Sequence, residues 1–192
     1  DINIVNSIKI SDNNELGFHN ILDSGVNSPM NWTHESDTHL DSDDVSEYGL
    51  GLKSGSVNLG DKMTLYTKCD DEKGVKYFMV ILDWNQMKTK NSPECYNPTI
   101  IPITMTHYNN YHPFDNGSSI VIESLNRALV PKDKISFEYR LEQYIKRVYA
   151  HFLCNITIEV NGKRVIPYTN PLNKIDYPHP IIEYKIWILW NS

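Results

Sequence analysis

Short apolar runs separated by turn-forming residues occupy the chain from Tyr48 onward, and this spacing limits the possible folds more than any other feature. The runs fall at 63–68, 77–84, 100–106, 119–123, 135–141, 156–160, 164–168 and 181–190. Glycine, proline, asparagine and aspartate lie between them, as is typical of strands joined by tight turns. Eight short strands at this spacing predict an all-β fold, an antiparallel β-sandwich or barrel.

Apolar and polar residues alternate strictly in two of these runs. Ile135–Leu141 and Ile156–Val160 both have this pattern, which predicts strands with one buried face. Asn161-Gly162 follows the second run and predicts a tight type I′ hairpin. In Leu141–Phe152 the apolar residues fall at helical spacing instead. A short helix near 141–152 and a strand followed by a loop both stay open there.

The first quarter of the chain has a different composition. Residues 1–22 alternate weakly and could supply an edge strand, whereas 23–47 are mostly polar. The acidic and histidine-containing run at 34–44 offers oxygen and nitrogen ligands, but nothing in its spacing fixes a coordination geometry. A solvated loop is therefore the preferred interpretation, and we predict no metal site. These features divide the chain into an N-terminal extension at 1–47 and a β-sandwich domain at 48–192.

The charge balance excludes some classes of partner. The chain has 24 acidic and 18 basic residues among 192, a formal net charge of −6. Without a basic surplus it has little with which to displace the counterions of a phosphate backbone, so we expect no nucleic-acid partner. No apolar run approaches the roughly 18–20 residues that a membrane-spanning helix needs, so we expect no membrane span in this chain.

Three Asn-x-Ser/Thr sequons suggest a secreted or cell-surface glycoprotein. They begin at Asn31, Asn116 and Asn155, and ordinary polar loops are the alternative explanation. The chain starts at Asp1 without a hydrophobic leader, which a removed signal peptide would explain, as would an expression start chosen at this residue. We therefore expect an extracellular location.

An odd number of cysteines leaves one thiol over if the other two form a disulfide. The three are Cys69, Cys95 and Cys154, and spacing alone does not choose between the three possible pairings. We prefer Cys69–Cys95 because it closes the shortest loop. Cys154 lies in an apolar stretch and fits a small buried hydrophobe at least as well.

The order of several segments resembles a galectin-type carbohydrate-recognition domain. Gly60-Asp61 precedes a strand-like run, 103–111 ends in His107-x-Asn109-x-Tyr111, and 156–165 contains the Val-Asn-Gly hairpin sequence. About 135 of the 192 residues take part in the likeness. It implies a jelly-roll sandwich of the galectin or concanavalin kind, with a sugar bound on its concave face.

The resemblance also implies ligand-binding residues, with departures from the galectin pattern. His107 and Asn109 match the histidine and asparagine that bind galactose hydroxyls, whereas Tyr111 replaces an arginine and Glu123 an asparagine. No tryptophan lies at 124–134, where the family stacks the sugar on an indole ring. His107, Asn109, Tyr111 and Glu123 are therefore predicted to bind a ligand, but an ordinary β-galactoside site is not expected.

These observations lead to a non-enzymatic function. The sequence contains no Gly-x-Ser-x-Gly motif, no His-Glu-x-x-His motif and no phosphate-binding glycine loop, so we predict no catalytic residues and no cofactor. The preferred hypothesis is a secreted protein-interaction module, or a subunit of an extracellular surface complex, on a galectin-like fold. The alternative is a glycan-binding lectin with a degenerate galactoside site. The expected partner is an extracellular protein or glycan.

Overall fold

One mixed β-sheet forms the centre of the molecule, and helices pack against it. The computed structural model describes residues 4–14, 50–71, 74–89, 98–167 and 182–190. In chain order the elements are β1 (Val5–Asp12), α1 (Leu50–Leu59), β2 (Gly60–Asp71), β3 (Gly74–Asp83), α2 (Trp84–Thr89), β4 (Thr99–Ile103), α3 (Met105–Tyr111), β5 (Ser118–Leu125), α4 (Lys134–Val148), a 3₁₀ turn (Phe152–Cys154), β6 (Ile156–Val160), β7 (Lys163–Arg164) and β8 (Ile182–Trp190).

All the described strands belong to this one sheet, in the order β4-β3-β2-β5-β1-β8-β6-β7. Neighbouring strands are antiparallel except β6 and β8, which are parallel. β1 pairs with β5 on one side and with β8 on the other, so the expectation of an edge strand within residues 1–22 is wrong for Val5–Asp12. The predicted all-β sandwich is also wrong, because helices rather than a second sheet cover this sheet.

The main core lies between one face of the sheet and the two longest helices. Ile8, Met63, Ile122 and Ile188 stand side by side on neighbouring strands, and each is almost fully buried. The helices contribute apolar side chains to this core, namely Leu52, Val57 and Leu59 of α1 and Phe137, Leu141 and Ile145 of α4. Burial of these apolar side chains is the main contribution of this core to the stability of the fold.

The run at 135–141 forms a helix and not the predicted strand. α4 begins one residue earlier and continues to Val148, and the Asp133 carboxylate caps it by accepting a hydrogen bond from the Ser136 amide at 2.8 Å. Phe137 and Leu141 point to the core at helical spacing, whereas Ile135 and Tyr139 are 69% and 63% exposed. The alternating pattern thus spreads over two helix faces. The helix left open at 141–152 exists only as the second half of α4, up to Val148.

The predicted hairpin at Asn161-Gly162 is confirmed. Both residues have positive φ, at 50° and 75°, as a type I′ turn requires, and Val160 pairs with Lys163 across the turn. The Asn161 side-chain oxygen also accepts a hydrogen bond from the Ile188 amide at 2.8 Å, which fixes the turn against β8. This turn therefore closes the β6 side of the sheet.

The sequence also predicts a domain boundary after residue 47 and no membrane span. The proposed division between 1–47 and 48–192 falls outside the described residues, although β1 from the N-terminal side joins the same sheet as the later strands. Within the described ranges, no helix combines the length and apolar character needed to cross a lipid bilayer.

Candidate functional site

Glycines cluster around the start of α1. The sequence around it reads Gly49-Leu50-Gly51-Leu52-Lys53-Ser54-Gly55, and the helix begins at Leu50. A Cβ atom built on Gly51 or Gly55 would have nothing within 4 Å, so packing inside the protein does not require glycine at either position. Glycine within a helix costs about 1 kcal/mol relative to alanine. Close approach of another molecule to the backbone is the usual reason to accept that cost.

The electrostatics of this helix end favour an anion. The first amides of a helix have no partner within it, and the helix dipole places roughly half a positive charge there. No acidic side chain lies in the first turn of α1 to neutralise that charge. An anionic oxygen could therefore accept hydrogen bonds from these amides, as phosphate groups do at many glycine-rich helix starts.

Lys53 adds a cation to the same turn. Its side chain is 1% exposed, and desolvation lowers its pKa from the usual lysine value. The Ser56 hydroxyl donates to the Lys53 carbonyl at 3.0 Å, which supports the backbone one turn into the helix. A lysine with restricted access to water gains more from a bound anion than an exposed lysine does.

The C-terminal end of α1 is held firmly against β5. The Asn126 side chain donates to the Asn58 carbonyl at 3.1 Å, and the Asn126 amide donates to the Leu59 carbonyl at 2.8 Å. A Cβ on Gly60 would lie 2.4 Å from the Glu123 carbonyl oxygen, so only glycine fits at this junction. The glycine-rich start of the helix is therefore presented by a fixed scaffold.

The residues predicted to bind a ligand lie at a different place, around Tyr66 of β2. The Tyr66 and Tyr111 rings stack with centroids 4.3 Å apart and an interplanar angle of 3°, and His107 lies 5.3 Å from Tyr111. Glu123 pairs with Lys62 at 2.9 Å. Burial first, then Tyr111 and Glu123, raise the pKa of Tyr66 to about 12. Asn109 is exposed on α3 and does not join this cluster.

α3 is fixed in place by polar contacts to the strand that follows it. The Thr104 hydroxyl caps the helix by accepting from the His107 amide at 3.1 Å. The Tyr108 hydroxyl donates to the Gly117 carbonyl at 2.9 Å, and the buried His112 ring contacts Ser119 and the Asn116 carbonyl. Of the predicted set, the structure brings together His107 and Tyr111, with Glu123 near enough to Tyr66 to raise the pKa of that tyrosine, and a role of these residues in ligand binding stays a prediction.

The predicted modification sites are only partly described. Asn31 and Cys95 lie outside the described residues, so the Cys69–Cys95 pairing stays a prediction, with Cys69 buried beside Leu65 and Phe78. The Asn116 side-chain oxygen accepts a hydrogen bond from Lys68, and Asn155 is half-buried after the 3₁₀ turn. Glycosylation at the three sequons also stays a prediction.

The candidate cation ligands at 34–44 lie outside the described residues. Among the residues that the structure does describe, no three histidine, cysteine, aspartate or glutamate side chains come together as metal ligands.

Comparison with family models gives a match over residues 5–118, to the model described as histidine kinase-, DNA gyrase B- and HSP90-like ATPase. The matched range runs from β1 to the first residue of β5 and includes the whole of α1. No curated protein matches the chain.

This match contradicts the galectin resemblance and what followed from it. The family is an ATPase family, so the expected non-enzymatic binding module on a galectin-like fold is wrong, whereas the extracellular location and the protein or glycan partner stay predictions. The mixed sheet with its helices agrees with the match, and the segment at 103–111, which takes part in the galectin resemblance, is largely helical.

The signal that sequence reasoning missed was the repeated glycine before Lys53. The prediction that the chain has no phosphate-binding glycine loop overlooks these residues, because glycines that open a helix are a known phosphate-binding arrangement. The family match covers more than half of the 192 residues and contains this helix start. The chain belongs to the histidine kinase-, DNA gyrase B- and HSP90-like ATPase family.

Proposed function

We propose that this protein binds ATP at the glycine-rich start of α1 and hydrolyses it. The observation that carries the proposal is the family match, whose range contains this helix start together with β1 to β4. The predicted absence of enzymatic activity is replaced by this assignment.

The described residues fit a phosphate-bearing ligand. Gly51 is exposed and leaves open space where a side chain would stand, so a phosphate oxygen can approach the helix backbone. The amides of the first turn would donate to that oxygen, and Lys53 would supply positive charge nearby. ATP hydrolysis transfers its terminal phosphoryl group to water, a reaction that depends chiefly on positioning and on stabilising negative charge. The fixed amides and the positive charge at this end of α1 would contribute to both.

Substitution of two glycines in the same helix provides a matched test. Gly51→Ala should place a methyl group in the path of the phosphate and weaken ATP binding by about tenfold or more. Gly55→Ala lies about one turn further along, where the influence of the helix end has declined, and should weaken ATP binding much less. Neither alanine meets another atom, so neither variant should unfold at a lower temperature than the wild type.

The measurements are displacement of a fluorescent ATP analogue in the presence of Mg²⁺ and release of inorganic phosphate. Binding by the wild type, with selective loss in Gly51→Ala, would support the site. Absence of ATP binding by the folded wild type, or equal binding by both variants and the wild type, would contradict it. Binding without phosphate release would contradict the hydrolysis assignment alone.

A further inference from the structure

We propose that the outward face of α4 is a binding site for an acidic peptide segment of a partner protein, held by Arg140 and Arg147. This proposal concerns a different surface from the nucleotide site and does not depend on ATP binding. Three features of this helix face support it, namely its shape, its unbalanced charge and its exposed aromatic rings.

A shallow cleft of about 380 Å³ lies along this face. Its lining consists of two tyrosines, two arginines and a glutamine, namely Tyr139, Arg140, Gln143, Tyr144 and Arg147. The opposite face of α4 packs on the sheet through Phe137, Leu141 and Ile145. The helix is therefore anchored on one side and presents the cleft on the other.

Among the residues that the structure describes, the acidic residues of α4 have cationic partners, whereas its arginines have no acidic ones. Glu138 pairs with Lys134 at 3.5 Å and also accepts a hydrogen bond from Asn161, and Glu142 pairs with Lys146 at 2.6 Å. Within the described part of the chain, neither Arg140 nor Arg147 has an ion pair. Two guanidinium groups are thus left to bind negative charge, on a protein whose overall net charge is −6.

The spacing of the arginines suits a short extended segment. They lie seven residues apart, two helical turns or roughly 10 Å along the axis. An extended polyproline II chain rises about 3.1 Å per residue and returns to the same face at every third residue. Carboxylates three residues apart on such a segment would therefore lie roughly 9 Å from each other. Each could form a forked, charge-assisted pair with one arginine.

The aromatic rings give the site an apolar component. Tyr139 is 63% exposed and Tyr144 is 50% exposed, so both rings have apolar area that a partner could bury. Tyrosine and arginine are the residue types most enriched among the strongest contacts of protein interfaces. Ile135 and Val148 are also exposed on this helix. Apolar residues between the carboxylates of the peptide would have surfaces to pack on.

A nucleic-acid ligand agrees less well with the same observations. Binding through phosphates draws its strength from many neutralised charges, and this face offers only two arginines without an ion pair to any described residue, on an acidic protein. An acidic peptide needs only a few charged contacts combined with apolar ones. The peptide is therefore the ligand class that we assign.

Fluorescence anisotropy with a labelled peptide of Glu-Leu-Pro repeats tests the assignment. The double substitution Arg140→Gln/Arg147→Gln should weaken binding by about tenfold or more. The matched control is Lys163→Gln/Arg164→Gln, which removes the same charge from two exposed residues of β7 and should change affinity less than about twofold. Circular dichroism should show both variants folded, because all four side chains are exposed.

Three results would overturn the proposal. The first is failure of the wild type to bind the Glu-Leu-Pro peptide more tightly than a Gln-Leu-Pro peptide. The second is equal loss of affinity in the β7 control, which would indicate a general charge effect. The third is tighter, arginine-dependent binding of a short oligothymidylate, which would assign the face to single-stranded nucleic acid instead.

Discussion

Ser119 and His112 form a buried hydrogen bond in which the direction of the proton can be assigned. The Ser119 hydroxyl oxygen lies 2.8 Å from His112 Nδ1, and His112 Nε2 lies 2.7 Å from the Asn116 carbonyl oxygen. A carbonyl only accepts, so Nε2 must carry the hydrogen, and in the neutral ring Nδ1 must accept from Ser119. Ser119 in turn accepts from Ser11 on the neighbouring strand. The neutral ring thus satisfies the whole chain of bonds.

This arrangement predicts a pH-dependent contribution of His112 to stability. Burial, with a smaller contribution from Lys9, lowers the pKa of His112 below its usual 6.5. The unfolded chain therefore binds a proton at a pH where the folded protein does not. The stabilisation from His112 is complete above about pH 6.5 and declines as the pH falls toward the folded-state pKa.

Urea unfolding of the wild type and of His112→Gln across this range measures the effect. The difference in unfolding free energy should be largest near neutral pH, about 1–3 kcal/mol for a broken buried network, and should shrink in mild acid. Subtracting the two curves removes contributions from other titrating groups such as Asp12. A difference that stays constant with pH would contradict the lowered pKa of His112 in the folded protein.

The stacked pair Tyr66–Tyr111 predicts that the ring of Tyr111, more than its hydroxyl, holds α3 on the sheet. Tyr111→Ala should lower the unfolding free energy by about 0.5–1.5 kcal/mol, and Tyr111→Phe should keep most of it because the 4.3 Å stack remains. Asn109→Ala, on the exposed side of the same helix, is the matched control and should have little effect. Equal losses in the Ala and Phe variants would show that the ring contact carries little energy.

The close approach at Gly60 predicts that alanine is not tolerated there. Its Cβ would lie 2.4 Å from the Glu123 carbonyl oxygen and 2.8 Å from an Ile122 methyl group, so β2 and β5 would have to separate. Gly60→Ala should therefore reduce stability by about 1–3 kcal/mol. Gly51→Ala, which meets open space in the same segment, should not. Unchanged thermal unfolding of Gly60→Ala would show that this junction relaxes easily.

Local pattern was sufficient to find many of the strands. The runs at 63–68, 77–84, 119–123, 156–160 and 181–190 overlap β2, β3, β5, β6 and β8, because a buried sheet face needs branched apolar residues at every second position. The Asn161-Gly162 turn was found for a similarly local reason, since few other sequences favour positive φ twice in succession.

The order of the strands, and the fact that helices cover the sheet, could not be predicted from the same pattern. The alternation of the seven residues at 135–141 is consistent with a strand, but the same residues also place Phe137 and Leu141 one helical turn apart. The choice between them depends on the Asp133 cap and on the core that receives the helix. The sequence also does not identify Tyr66 as part of the aromatic cluster, because its neighbour Tyr111 is distant in sequence and contacts it only after folding.

The position of β1 between β5 and β8 constrains the order of events during synthesis. Ile8 meets Ile122 on one side and Ile188 on the other. β8 must therefore be synthesised before β1 can pair with its second neighbour. Until then one edge of β1 has unpaired backbone groups, and another nascent chain could pair with them. The shortest segment able to close this sheet extends from residue 5 to residue 190, well past the end of the family match at 118.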